Sequence, residues 1–117
     1  MGAKIIAPDP TGPVRGGFQA GYTSRVGATF SHDETDRLFV AEVDGHQATV
    51  AYRTVDEETL DFVSTYVPHV LRGRNVGTQV VRYALGWARE RHLRVIPSCW
   101  FVGSVVERHP EYRSVLR

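Results

Sequence analysis

Leu71-Arg72-Gly73-Arg74-Asn75-Val76-Gly77-Thr78 is the stretch on which the reading of this chain turns. Upstream lies a β-rich run, Thr59 to Val67, that ends at Pro68. Downstream, from Thr78 to about Arg91, Val81, Ala84, Leu85 and Ala88 recur at i, i+3, i+4 and i+7, the apolar stripe of a helix. The octet is therefore a strand-to-helix connection. A helix start presents N–H groups without carbonyl partners at the positive end of the helix dipole, a setting that binds phosphate oxygens. Gly73 and Gly77 allow the backbone to approach a bulky diphosphate, and Asn75 is the non-glycine type that best tolerates a left-handed conformation. Arg72 and Arg74 can add charge-assisted hydrogen bonds. The Gly-Lys-Ser/Thr ending of a P-loop and the three spaced glycines of a dinucleotide fingerprint are both absent. The competing reading is an ordinary connection that needs glycine for geometry alone.

Working outward, Leu38 to Val43 and Gln47 to Arg53 flank Asp44-Gly45, the residue pair a tight primed turn prefers, so they predict a β-hairpin. Asp56-Glu57-Glu58 is a second polar turn, and Thr59 to Val67 is a third strand of an antiparallel meander. Beyond the helix, Leu93 to Pro97 predicts a short strand, and Trp100 to Arg108 a second helix stopped by His109-Pro110. The order is β-β-β-α-β-α, an α+β fold with a mixed, mainly antiparallel sheet. Residues 1–24 hold five of the 11 glycines and three of the six prolines, which predicts a flexible N-terminal tail ahead of a single domain over 25–117.

Composition narrows the function. The chain has 117 residues, enough for one core and not for two domains, and 42% apolar residues are sufficient to fold it. With 14 basic and 13 acidic side chains, the net charge of +1 lacks the excess on which phosphate-backbone attraction depends, so no nucleic-acid partner is expected. No run approaches the ~20 apolar residues of a membrane span, and the N-terminal residues do not resemble a secretory signal. No membrane association and a cytoplasmic location are expected. The single cysteine, Cys99, cannot pair within the chain, in keeping with a reducing compartment. His32, His46 and His92 lack metal-ligand spacing, so no metal is expected. Trp87 and Trp100, with no basic stripe beside them, read as packing residues rather than base-stacking platforms.

Arg72-Gly73-Arg74-Asn75-Val76-Gly77 resembles the Gln/Arg-x-x-Gly-x-Gly/Ala signature of the GNAT superfamily, the acetyl-CoA-dependent N-acetyltransferases. With Val67-Pro68, Val95-Ile96-Pro97-Ser98-Cys99 and Arg108-His109-Pro110-Glu111-Tyr112, the likeness extends from about Arg37 to the C-terminus and is to the small, minimal GNAT-like family. The resemblance implies a sheet splayed at the strand before the loop, so that the pantetheine of CoA lies in the cleft beside Val67. It makes Arg72, Gly73, Arg74, Asn75, Val76, Gly77 and Thr78 the pyrophosphate cradle, and acetyl-CoA the acetyl donor. The sequence departs from the small family at Asn75, where a glycine is usual, at Ser64, where a histidine is common, and at Tyr66, often a glutamate.

The same resemblance places Cys99 near the acetyl end of the cofactor, where the small family carries a cysteine suggested as catalytic. A thiol there could accept the acetyl group or return a proton to the departing CoA thiolate. Its activation requires a lowered pKa, and the helix predicted after Cys99 would aim its N-terminus at the sulfur. The bland alternative is a small buried apolar residue. Direct transfer to the amine needs no covalent intermediate, and Tyr66 or His69 could then assist, though His69 also reads as a solvated loop histidine. The leading expectation is an N-acetyltransferase whose acceptor, an amine or a protein, the sequence does not identify. The alternative is a non-catalytic CoA-binding or protein-interaction module that keeps the loop. The sequence leaves the oligomeric state open.

Overall fold

The computed structural model of the chain describes Tyr22–Thr23 and residues 27–117. The segment predicted as a tail lies outside the described residues, except that Tyr22–Thr23 forms an edge strand, β1, opposite Phe30 and Thr29. Thr29–Asp33 (β2) follows, then Leu38–Val43 (β3), His46–Asp56 (β4) and Thr59–Tyr66 (β5). After helix α1 (Val76–Glu90) come β6 (Arg94–Ile96) and helix α2 (Trp100–Arg108). The six strands lie in chain order in one sheet. β1 to β5 are antiparallel and β6 joins β5 in parallel, with α1 as the crossover that a parallel pair requires.

Local chemistry explains these elements. Asp44 and Gly45 both adopt positive φ, 52° and 79°, in the two-residue turn of the β3–β4 hairpin, as the Asp-Gly pair predicts. Asp56 closes the next turn by accepting the Glu58 amide at 2.8 Å. The stripe Val81, Ala84, Leu85 and Ala88 is fully buried, and Val80 joins it. It packs with Phe39, Val50 and Phe62 of the sheet and with Val102 and Val105 of α2 in one core. Burying each large apolar side chain contributes about 1.5–3 kcal/mol. The C-terminal 3₁₀ turn Pro110–Val115 buries Tyr112 and Val115, and the chain ends against β6, where the Arg117 amide donates to the Val95 carbonyl at 3.0 Å.

Two strands go beyond the sequence expectation. β2 carries one large apolar residue, Phe30, and its second core-facing position is His32, so the alternation is hard to see. The His32 ring stacks on Phe39 at 4.4 Å and meets the Trp87 edge at 4.4 Å, and its Nε2 is 2.7 Å from the Tyr52 hydroxyl.

What positions the site is how the sheet opens. β5 and β6 pair only from Thr59–Asp61 to Arg94–Ile96. Ala51 opposes Ser64 while Tyr52 opposes Phe62, so Val63 is an extra residue in β5, a bulge. On the other side Pro97 follows β6 and has no amide to continue the ladder. The Cys99 amide makes one more bond, 2.9 Å to the Phe62 carbonyl, after which β5 runs on through Tyr66 without β6 beside it. The expected splay is this divergence.

Candidate functional site

The splay and the start of α1 enclose an open groove of about 500 Å³. Leu71, Val76 and Phe101 supply apolar wall, and every residue of the expected cofactor set except Arg74 lines the groove, including Val67, Arg72 and Thr78. Asn75 has φ 66° and ψ 16°, the left-handed conformation that its residue type tolerates, and its side chain makes no capping bond, so backbone geometry is its contribution. Gly73, at φ 80°, would meet nothing with an added Cβ; its conformation is what calls for glycine.

Gly77 is different. A Cβ there would stand 3.0 Å from Val67 Cγ2 and 3.3 Å from the Phe101 ring. The glycine therefore keeps bulk away from protein neighbours and lets α1 settle between β5 and α2, which the ligand-centred reading of the loop overlooked. The first amide of the helix to find a carbonyl is that of Gln79, which donates to Asn75 at 3.2 Å. The amides of Val76, Gly77 and Thr78 lie ahead of the helical ladder at the positive end of the dipole.

The arginines divide. Arg72 folds back so that Nε donates to the Val67 carbonyl at 3.3 Å while remaining on the groove wall. Arg74 turns away, and its guanidinium lies 3.4 Å from Asp44 Oδ2 in the β3–β4 turn. Both partners are exposed, so the pair is worth at most about 1 kcal/mol and yields easily to a stronger anion.

Cys99 is the N-cap residue of α2 and half-buried, with Sγ 3.5 Å from Thr65 Oγ1. Burial would push its thiol pKa up. Hydrogen bonding from Thr65 and the amides of Val102 and Phe101 outweighs that, and the net direction is down. The bulge at Val63 aims Thr65 at the sulfur. It shifts the strand's phase, so that Thr65 rather than Ser64 opposes the buried Val50 and shares its face. Ser64 and Tyr66 oppose Ala51 and Thr49 on the other face, away from Cys99. His69 is exposed in a 3₁₀ turn, His69–Leu71, whose buried residue is Leu71.

Asp61 was not foreseen. It is 6% exposed on β5, accepts from Arg53 Nη2 at 3.1 Å through Oδ2, and keeps Oδ1 enclosed without a partner in hydrogen-bonding geometry. The Ser98 hydroxyl beside it is the main influence holding the carboxyl below its usual range; burial opposes this, and Arg53 and the Ser98 amide assist. Asp61 thus lies beside Ser98, and the Phe62 carbonyl anchors the Cys99 amide. The other departure is Trp100, expected to pack and found 80% exposed. Two residues before the buried Val102, it lies about 200° around the helix, on the side opposite the core. Among the described residues no group of three or more His, Cys, Asp or Glu side chains could hold a metal ion, and no helix is long and apolar enough to cross a membrane.

Comparisons with known proteins agree with this architecture. The family model of GCN5-related N-acetyl-transferases matches residues 38–115. Zebrafish (Danio rerio) protein NATD1 is 29% identical over 85 residues, covering 69% of this chain and 77% of that protein. The solution NMR structure of a GCN5-like candidate N-acetyltransferase from Staphylococcus aureus superposes with a TM-score of 0.59 at 28% identity, covering 75% of this chain and 86% of that one.

Proposed function

The chain belongs to the GCN5-related N-acetyltransferase family, and on that premise we propose that it transfers the acetyl group of acetyl-CoA to an amine. The observation that carries the reading is that a groove lined by the Gly73, Asn75–Thr78 turn opens where β5 leaves β6, and that the same end of β5 sets Thr65 against Cys99, a pair that does not itself line the groove. The fit to a CoA diphosphate is good: free amides precede the ladder of α1, two arginines lie on the same loop, and no carboxylate lines the groove. Val76, Gly77 and Thr78 would hold the diphosphate through their amides, with Arg72 beside them and Arg74 released from Asp44. Val67 would border the pantetheine.

Acetyl-CoA brings the activated acyl group. In the reaction an amine nitrogen bonds to the acetyl carbon, the carbon–sulfur bond breaks, the amine gives up a proton, and the CoA sulfur gains one. Cys99 is the residue proposed for the acetyl end. As a thiol of lowered pKa it is a suitable acid for the departing thiolate; as a thiolate it would take the acetyl group before the amine does. Thr65 holds the sulfur in either role. A reducing compartment such as the cytoplasm would keep that thiol free.

The test is binding followed by turnover. Acetyl-CoA at saturating concentration should raise the melting temperature, and release of CoA thiol should depend on added amine. A melting shift without transfer to any of a broad amine panel would leave a CoA-binding module, the reading that the loss of the usual histidine and glutamate at Ser64 and Tyr66 favours. Absence of any melting shift would remove both readings. Mass spectrometry after acetyl-CoA without amine would separate covalent from direct transfer.

A further inference from the structure

We infer that Asp44, at the tip of the β3–β4 hairpin, competes with the CoA diphosphate for Arg74 and thereby lowers the affinity of the chain for its cofactor. The inference deepens the acetyl-transfer reading and rests on it. Of the residues expected to form the cradle, Arg74 is the one that does not line the groove, although Gly73 and Asn75 on either side of it do. Its side chain is held instead by a residue thirty positions away: Nη1 and Nη2 both lie 3.4 Å from Asp44 Oδ2.

The backbones on both sides of this contact are set by other forces. Val43 opposes His46 where the hairpin ladder ends, and Asp44 and Gly45 close it with positive φ, so the sheet places the Asp44 carboxylate. Arg74 stands between Gly73 at φ 80° and Asn75 at φ 66°, in the turn that leads into α1. What remains adjustable is the pair of side chains. The Asp44 side chain is 74% exposed and that of Arg74 46%, so packing locks neither of them.

The geometry also says which anion wins. Both guanidinium nitrogens share one carboxylate oxygen, whereas a matched fork gives each nitrogen an oxygen of its own. A diphosphate seated on the α1 amides offers several charged oxygens and can satisfy that fork, so it takes Arg74 when it binds. It does so by exchange, because one ion pair breaks as another forms. Arg72 carries no such cost, since its Nε donates to the neutral Val67 carbonyl. Once Arg74 has turned, the Asp44 carboxylate has lost its cation and stands near a bound polyanion, which adds to the penalty. No carboxylate lines the groove itself, so this opposition comes from the hairpin tip.

The experiment is calorimetric titration of the full chain with CoA at low ionic strength, where exposed charges are least screened, with the melting shift recorded alongside. Asp44→Asn removes the charge and keeps a residue type that accepts the positive φ of the turn, and Asp44→Gly removes the side chain under the same condition. Each should lower the Kd for CoA up to about fivefold, the limit that an exposed ion pair sets. Arg74→Ala should raise the Kd, and adding Asp44→Asn to Arg74→Ala should change it little. Glu42→Gln, which removes an exposed charge two residues away on β3, should leave the Kd close to that of wild type. An unchanged or weaker affinity in both Asp44 variants would overturn the inference, and would leave the transferase reading standing. So would a gain of the same size in the Arg74→Ala background, which would make Asp44 a distant repulsive charge rather than a competitor for the arginine. Absence of any melting shift with CoA in wild type and variants alike would remove the inference together with the transferase reading.

Discussion

The amide of Cys99 donates to the carbonyl of Phe62 at 2.9 Å, and this bond joins the cysteine to the strand that parts from it one residue later. Above it, Thr65 reaches the sulfur. Two positions of β5 thus fix Cys99 at the start of α2, and the bulge at Val63 brings the second of them onto the sulfur's side. A cysteine held in this way has its reactivity set by β5 as much as by its own helix.

The first consequence concerns Thr65. Its hydroxyl favours the thiolate, so Thr65→Val should raise the Cys99 pKa and slow alkylation at neutral pH, with little effect on the rate once the thiol is fully ionised. The measurement is the pH profile of iodoacetamide modification followed by mass. The wild-type inflection should lie below the ordinary cysteine value of about 8.5 and that of the variant above the wild type's. Superimposed profiles would show that the Thr65 contact does not tune the sulfur.

Asp61 gives the second. Its folded-state pKa is lowered, so the stability it contributes is present above the unfolded carboxylate range and is lost as pH falls through the folded value. Asp61→Asn removes the ionic partner of Arg53 and leaves a buried amide in its place. It should cost about 1–3 kcal/mol in urea unfolding at neutral pH, with a much smaller difference from wild type at the acid end. Retention of full stability together with an unaltered Cys99 alkylation profile would make the carboxylate dispensable.

Gly77 gives the third. Gly77→Ala puts a methyl 3.0 Å from Val67 Cγ2, an overpacking worth about 1–3 kcal/mol that the better helix propensity of alanine, about 1 kcal/mol, offsets only in part. Val67→Ala in the same chain should relieve the clash, so the double variant should be more stable than the two single changes predict when added. Strict additivity in urea unfolding would mean that the helix start does not need the close approach.

The elements that proved readable are those whose signal is local. Val81, Ala84, Leu85 and Ala88 announce α1, Asp44-Gly45 announces the hairpin, and the residue type at Asn75 permits the left-handed turn found there. The features hidden from the sequence depend on distant partners or broken periods. Phe62 and Thr65 share a face only because Val63 is extra, which a period of two cannot express. Arg74 meets Asp44 thirty positions away. Trp100 was legible from its helical phase against Val102, Val105 and Val106, but an indole read as core residue conceals that phase. β2 escapes because a histidine takes a place in the core, and that substitution has a measurable cost.

Burial lowers the pKa of His32 to about 4, with Arg91 assisting and Asp33 opposing, so the ring is neutral in the folded chain near pH 7. The unfolded value is about 6.5, so the unfolded chain binds the proton first as pH falls, and stability declines across the window from about 6.5 down to 4. Between pH 7.5 and pH 5 the loss from this one group should be about 2 kcal/mol, read as a lower urea midpoint with an unchanged m-value. His32→Phe keeps the ring between Phe39 and Trp87 but leaves the Tyr52 hydroxyl without its partner at 2.7 Å. The variant should be less stable at pH 7.5 and should lose correspondingly less on acidification. If wild type and His32→Phe lost the same stability over that interval, the acid sensitivity would have to come from groups other than this histidine.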